Sequence, residues 1–231
     1  MGIIRLLPDD PLLFAMLAVA IIAALIFHEL AHAFVAYRLG DTSQRERGRL
    51  TLNPIKHIDP IGGLMLLFVG FGWAKPVMVD PRAFKSPKRG MGLTALAGPV
   101  TNFLLALIGA IIFVIWMGPE DTNTLLGFLE FRRFPTALMS QGHLFLFYFI
   151  QINVGLGIFN LIPIPPLDGS KILASFLPDR LYEKFLQAQT IMALALLVLM
   201  FTGAFDFLGR FILSMMIWII DVGLIIVGWF A

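Results

Sequence analysis

Two stretches of this chain carry no charged side chain for 30 and 34 residues, at positions 90–119 and 134–167. A helix needs about 20 apolar residues to cross the hydrocarbon core of a bilayer. Lipid offers backbone N–H and C=O groups no partner, so a stretch that crosses it must satisfy them internally, as a helix or a closed barrel. Neither run alternates in the manner of a barrel strand, and both are several times longer than one. Residues 11–27 form a third charge-free run, which continues as a helical pattern through FHELAHAFVAYRL to Gly40. Residues 185–205 and 211–231 supply two more candidates, the last containing Asp221. The expected fold is therefore an all-α polytopic membrane protein with about five transmembrane helices.

Composition agrees with this class. Hydrophobic residues make up 58% of the chain and charged residues 14%, against about a quarter charged in soluble domains. The 231 residues are expected to form one integral domain, with a core at 11–170 and further helices at 185–231. They leave no room for an appended soluble domain of about 50 residues. An isoelectric point near 9.1 reflects basic loops between spans, not nucleic-acid binding. The absence of Cys removes disulfides and thiolate ligands, so any metal must be held by His, Asp and Glu. MGIIRLLPDD and the run after it contain no small-residue cleavage pattern, and no cleaved signal peptide is expected.

Residues 61–74, IGGLMLLFVGFGWA, are charge-free but short, and broken by Gly62, Gly63, Gly70 and Gly72. Such a segment suits a re-entrant or interfacial hairpin, tolerated where protein covers its backbone. Lys and Arg are distributed unevenly around the spans. Ten lie between residues 37 and 90 and three between 164 and 188, whereas Arg5, Arg132, Arg133 and Arg210 fall on the other side. By the positive-inside rule the N-terminus is external and the 37–90 connection cytoplasmic.

The first span ends in His28-Glu29-Leu30-Ala31-His32, an HExxH pattern. On a helix, His28 and His32 are i and i+4, so both imidazoles point one way and can hold a zinc ion. Glu29 is adjacent to the first ligand and within reach of a water at the metal. An ionisable cluster inside a span is costly and is read as functional. Catalytic zinc takes three protein ligands; the candidates for the third are His57, Asp59, Asp168, Asp221 and His143. Asp168 ends the Pro-rich run NLIPIPPLDG, whose extended backbone can aim a carboxylate back at the first helix. An Asp before Gly is equally suited to a turn or a helix N-cap.

HExxH on a first core helix followed far away by PPLDG resembles the site-2 protease family of intramembrane zinc metalloproteases. Further shared features are Asn53-Pro54, His57-Ile58-Asp59-Pro60, the GFGWAKPV run at 70–77, and Ala97-Gly98-Pro99 with Asn102. The resemblance covers about residues 27–170. It implies a zinc cofactor held by His28, His32 and Asp168, with Glu29 as catalytic base. It also implies hydrolysis of peptide bonds in or near a transmembrane helix of a substrate; with the basic 37–90 connection cytoplasmic, the active site is expected toward the cytoplasmic side of a cell membrane. Ser170 stands where many members have a second Gly, and the PDZ or CBS domains of some members are missing. The oligomeric state is open.

Asn102 is a polar residue within a span. It either donates to the oxyanion at the scissile carbonyl or makes an interhelical hydrogen bond. GFGWAKPV either receives an extended substrate as an added strand or forms a surface loop anchored by Trp73. His57 and Asp59 organise the basic loop, His143 sits at the far end of its span, and Asp221 either lies at the membrane interface or pairs with Arg210. The rival functional class is a metal transporter or channel using the same His and Asp residues; there Glu29 would be a ligand. A scaffold that binds no zinc is the third reading.

Overall fold

A computed structural model describes residues 2–70, 72–130, 139–203 and 206–229. Expectations that involve Phe71, Arg132, Arg133, Phe134 or Phe205 fall outside these residues. The described chain is helical, with no sheet beyond one isolated bridge between Ile58 and Ala74.

Helix α1 (Pro11–Arg38) starts where the Asp10 carboxylate accepts the Leu13 N–H at 2.9 Å and Pro11 occupies the first turn. It ends against Gly40, whose φ of 121° is open to glycine but strained for other residues. Its 28 residues reach about 42 Å. Three short helices follow, α2 (Ser43–Glu46), α3 (Pro54–His57) and α4 (Pro60–Phe68). Asn53 and Asp59 cap the last two through their side-chain oxygens. The chain then reverses at Gly70 (φ 90°) and returns extended along α4. The return is so close that a Cβ on Gly62 would lie 2.1 Å from the Trp73 carbonyl oxygen. The 61–74 segment is thus a helix folded against an extended strand.

The remaining helices are α5 (Pro87–Met117), α6 (Pro119–Glu130), α7 (Gln141–Leu161), α8 (Asp168–Phe176), α9 (Asp179–Phe201) and α10 (Asp206–Gly228). α5 is central, packing against α1, α7, α8 and α10. Small residues allow these close approaches: Ala20, Ala24, Ala33 and Ala36 of α1 are fully buried, as are Ala106 and Ala110 of α5. A core of Phe113, Val114, Leu125, Ile150, Val154, Met216 and Ile220 fills the space between α5, α6, α7 and α10. Outward, Val19, Leu104, Ile108, Ile115, Trp218 and Ile225 are all more than half exposed, an apolar exterior suited to lipid and costly in water.

Among the described residues four helices, α1, α5, α7 and most of α10 (Phe207–Gly228), are long and apolar enough to cross a membrane. This is one fewer than the sequence suggested, and the difference lies in α9. Its first turns carry Asp179, Arg180, Glu183 and Lys184, and among the described residues its apolar stretch, Gln187–Leu199, is shorter than a span. Packing gives an independent reason. His32 meets Thr94 and Ala24 meets Asn102, so α1 and α5 are antiparallel; Asn102 meets Asn153 and Trp116 meets His143, so α5 and α7 are too. α10 sets Ile212 beside Gly155 and Gly223 beside Ala110, which makes it parallel to α5. Hence α10 starts at the end of the bundle where α8 lies, and α9 begins and ends there without crossing. Arg210 accordingly lies at the same end as residues 37–90, and not at the opposite end as expected.

Candidate metal centre

The HExxH residues lie on the α1 face that meets α5 and α8. His28 and His32 are nearly buried, and so is Asp168, the first residue of α8. The N-cap of α8 is Leu167, so the carboxylate of Asp168 is not spent on capping. Asp168 Oδ2 lies 3.1 Å from His28 Nε2 and 3.0 Å from His32 Nε2, and the two Nε2 atoms are 3.0 Å apart.

The outer ring nitrogens fix the protonation pattern of this triangle. His32 Nδ1 is 2.7 Å from the Thr94 carbonyl, which can only accept, so Nδ1 carries the proton. His28 Nδ1 is 2.6 Å from Asn102 Oδ1, while Asn102 Nδ2 donates to Asn153 Oδ1 at 2.9 Å and to the Ala24 carbonyl at 3.4 Å. With both imidazoles neutral, two Nε2 lone pairs and a carboxylate oxygen converge on one point. Three acceptors about 3 Å apart repel one another unless a cation lies among them. A tetrahedral ion with bonds of about 2.0–2.1 Å holds its ligand atoms about 3.3 Å apart, close to the spacing found. Zinc fits this donor set, and imidazoles whose outer nitrogen is held by an oxygen acceptor, here the Asn102 amide and the Thr94 carbonyl, are the usual outer shell of such a site. Lys171 Nζ, 3.2 Å from Oδ1, leaves Oδ2 free to face the imidazoles.

Glu29 is also nearly buried but stands outside the triangle. Its Oε2 accepts the Val77 N–H at 3.1 Å, from the extended strand that follows the hairpin. Among the described residues, the metal-competent group comprises His28, His32 and Asp168 alone. His57 is fully buried, with Nε2 against the Thr51 carbonyl at 2.7 Å, and Asp59 caps α4. His143 packs on Trp116 and Phe113 at the other end of the bundle. Asp221 lies on α10, outside the group. Asn102 is fully buried, and its amide is engaged with His28, Asn153 and Ala24, the interhelical arrangement. In the GFGWAKPV run, Lys75 N, Lys75 O, Pro76 O and Val77 N are all bonded within the chain.

Three contributors to the site were given no role in it from the sequence. Thr94 acts through its backbone carbonyl, which any residue possesses. Gly98 acts by having no side chain: a Cβ there would lie 2.5 Å from His28 Cε1 and 2.5 Å from His32 Nε2. Asn153 could have been flagged by the reasoning that singled out Asn102, since it too is an amide within a charge-free run.

Comparison with known proteins agrees with the geometry. The pattern of peptidase family M50 matches residues 16–203. YwhC of Bacillus subtilis, a protein named for zinc metalloprotease activity, is 40% identical over 85% of this chain and 83% of its own length. Rip2 of Mycobacterium tuberculosis, likewise named, is 31% identical over 82% of this chain and 70% of its own. MJ0611 of Methanocaldococcus jannaschii, also named as a zinc metalloprotease, is 30% identical over 70% of this chain and 71% of its own. No solved structure matches.

Proposed function

The chain belongs to peptidase family M50 and is a multi-pass zinc metalloprotease of that family; from that premise we propose that it cuts membrane-protein substrates in or near a transmembrane helix. The observation that carries this reading is the convergence of two imidazole Nε2 atoms and one carboxylate oxygen at 3.0–3.1 Å beside helices able to span a bilayer.

We assign His28, His32 and Asp168 as zinc ligands and Glu29 as the base. Zinc held there supplies a Lewis acid that polarises the scissile carbonyl and acidifies water toward neutrality. Glu29 takes the proton of the attacking water and returns it to the leaving amine. The Val77 N–H bond to one carboxylate oxygen restrains Glu29 and leaves the other oxygen to the proton. Asn102 and the Thr94 carbonyl hold the two imidazoles with Nε2 inward. An oxyanion role for Asn102 would require its amide to leave Asn153, so its contribution is better assigned to orienting His28. Glu29, standing outside the donor triangle, supports hydrolysis over transport, in which its carboxylate would be needed as a ligand.

The bundle end that carries the site also carries the basic connection, Arg38 to Arg89, which supports a cytoplasmic-facing site in a cell membrane. The hairpin of α4 and its return segment has its base at this end, at Ile58 and Ala74, while its tip reaches the segment that precedes α1, where the Gly2 N–H donates to the Phe68 carbonyl at 3.0 Å; it reads as the re-entrant element. A substrate helix has its carbonyls bonded internally and must unwind before attack, so Gly or Pro near the cut will favour cleavage. The test is incubation of the purified chain in detergent with single-span substrates, with and without a zinc chelator, followed by mass analysis. Chelator-sensitive products that map within or beside the span support the reading; soluble-peptide cleavage alone would overturn it.

A further inference from the structure

Arg49 is a buried cation, only 6% exposed, and among the described residues no carboxylate lies within ion-pair distance of it. Burying a guanidinium without a counter-charge is costly unless its donors are filled. Here they are filled by carbonyls: Nη1 donates to Lys56 O at 2.6 Å and Lys75 O at 3.1 Å, and Nη2 donates to Pro76 O at 2.7 Å. Two of these three carbonyls belong to the strand residues immediately before Val77, whose N–H holds Glu29. On its other edge the strand is tied to α3 through Lys75 N and His57 O at 2.7 Å. Burial pulls the Arg49 guanidinium below its ordinary value, and the negative charge of Glu29 opposes that pull, so the two residues feel one another across the strand.

We propose that Arg49 is a positioning residue for the catalytic base, fixing residues 75–77 so that the Val77 N–H sets the carboxylate of Glu29. This rests on the reading of Glu29 as base. A planar fork is required to span three carbonyls on two segments, and a Lys ammonium, a single point of charge, cannot reproduce it. A cation whose only task were to neutralise the loop would tolerate Lys, whereas a template for residues 75–77 would not.

The experiment compares Arg49→Met, Arg49→Lys, Val77→Pro and the double Arg49→Lys with Val77→Pro, each as the full chain in detergent. Zinc content, kcat and KM on a single-span substrate, and amide exchange over residues 74–79 are measured. The expected result is about one zinc per chain throughout, kcat lowered roughly tenfold or more by Arg49→Met and less by Arg49→Lys, and KM changed less than kcat. Val77→Pro removes the N–H that Arg49 positions, so the double variant should be no slower, within about twofold, than Val77→Pro alone. Exchange over 74–79 should quicken in the Arg49 variants while that of α1 is unchanged. Should Arg49→Met fail to fold, the Lys variant and its double carry the comparison. The inference is overturned if Arg49→Lys cleaves like wild type, or if the double loss is the product of the single losses. A wild-type chain that holds zinc yet cleaves nothing would instead sink the protease reading, and this role with it.

Discussion

Replacing Gly98 by Ala adds a single methyl at the point where α5 presses on both ligand imidazoles. That methyl would lie 2.5 Å from His28 Cε1, 2.5 Å from His32 Nε2 and 2.6 Å from His32 Cε1. Ordinary carbon contacts are about 3.5–4.0 Å, so a shift of roughly 1 Å is needed. The rings cannot give way freely, because their Nδ1 atoms are held at 2.6 and 2.7 Å by Asn102 and Thr94. Overpacking of this kind costs about 1–3 kcal/mol. If the strain is relieved by displacing the imidazoles, it falls on zinc binding and weakens it about 5- to 150-fold, at 1.4 kcal/mol per tenfold. Competition titration against a chelator in detergent measures this directly. Gly155→Ala is the control: its methyl would meet only Ile212 at 3.6 Å, so zinc affinity should stay at the wild-type value. A Gly98→Ala chain that binds zinc as tightly as wild type would refute the argument that α5 backs the two ligands in this register.

Glu29→Gln should keep about one zinc per chain while cleavage falls by roughly 10² to 10⁴; zinc loss in this variant would make Glu29 a ligand and favour transport. Asp168→Ala should lose zinc by metal analysis, whereas His57→Ala should retain it, since His57 is bonded to Thr51 away from the cluster. Asn102→Ala should weaken zinc binding about 10- to 100-fold, the usual effect of losing a residue that orients a ligand; unchanged affinity with slowed cleavage would restore the oxyanion role. A cysteine at Ser86 should be labelled only from the cytoplasmic side and one at Asn123 only from outside, and the reverse pattern would turn the site to the external face.

Much of the metal centre was legible because its signal is local. His28 and His32 are four residues apart, and helical periodicity alone sets them on one face. The charge-free runs at 90–119 and 134–167 are equally local, because hydrocarbon accepts nothing but a self-satisfied helix there. The three prolines in four positions before Asp168 predicted an extended approach that could aim its carboxylate at the first helix, but left the turn and N-cap readings open. Only the packing of α8 against α5 brings its carboxylate 3.0–3.1 Å from imidazoles 136 and 140 residues earlier in the chain. Hydropathy could not decide whether α9 crosses the bilayer, since its apolar half resembles part of a span. The register of α10 on α5 and α7 decided it, by returning the chain to the end where it began. Thr94 and Gly98 matter through a carbonyl and through a missing side chain, and Arg49 through a fork that reaches two distant segments. Those are properties of three-dimensional approach, and residue type records them only where a side chain carries the chemistry itself.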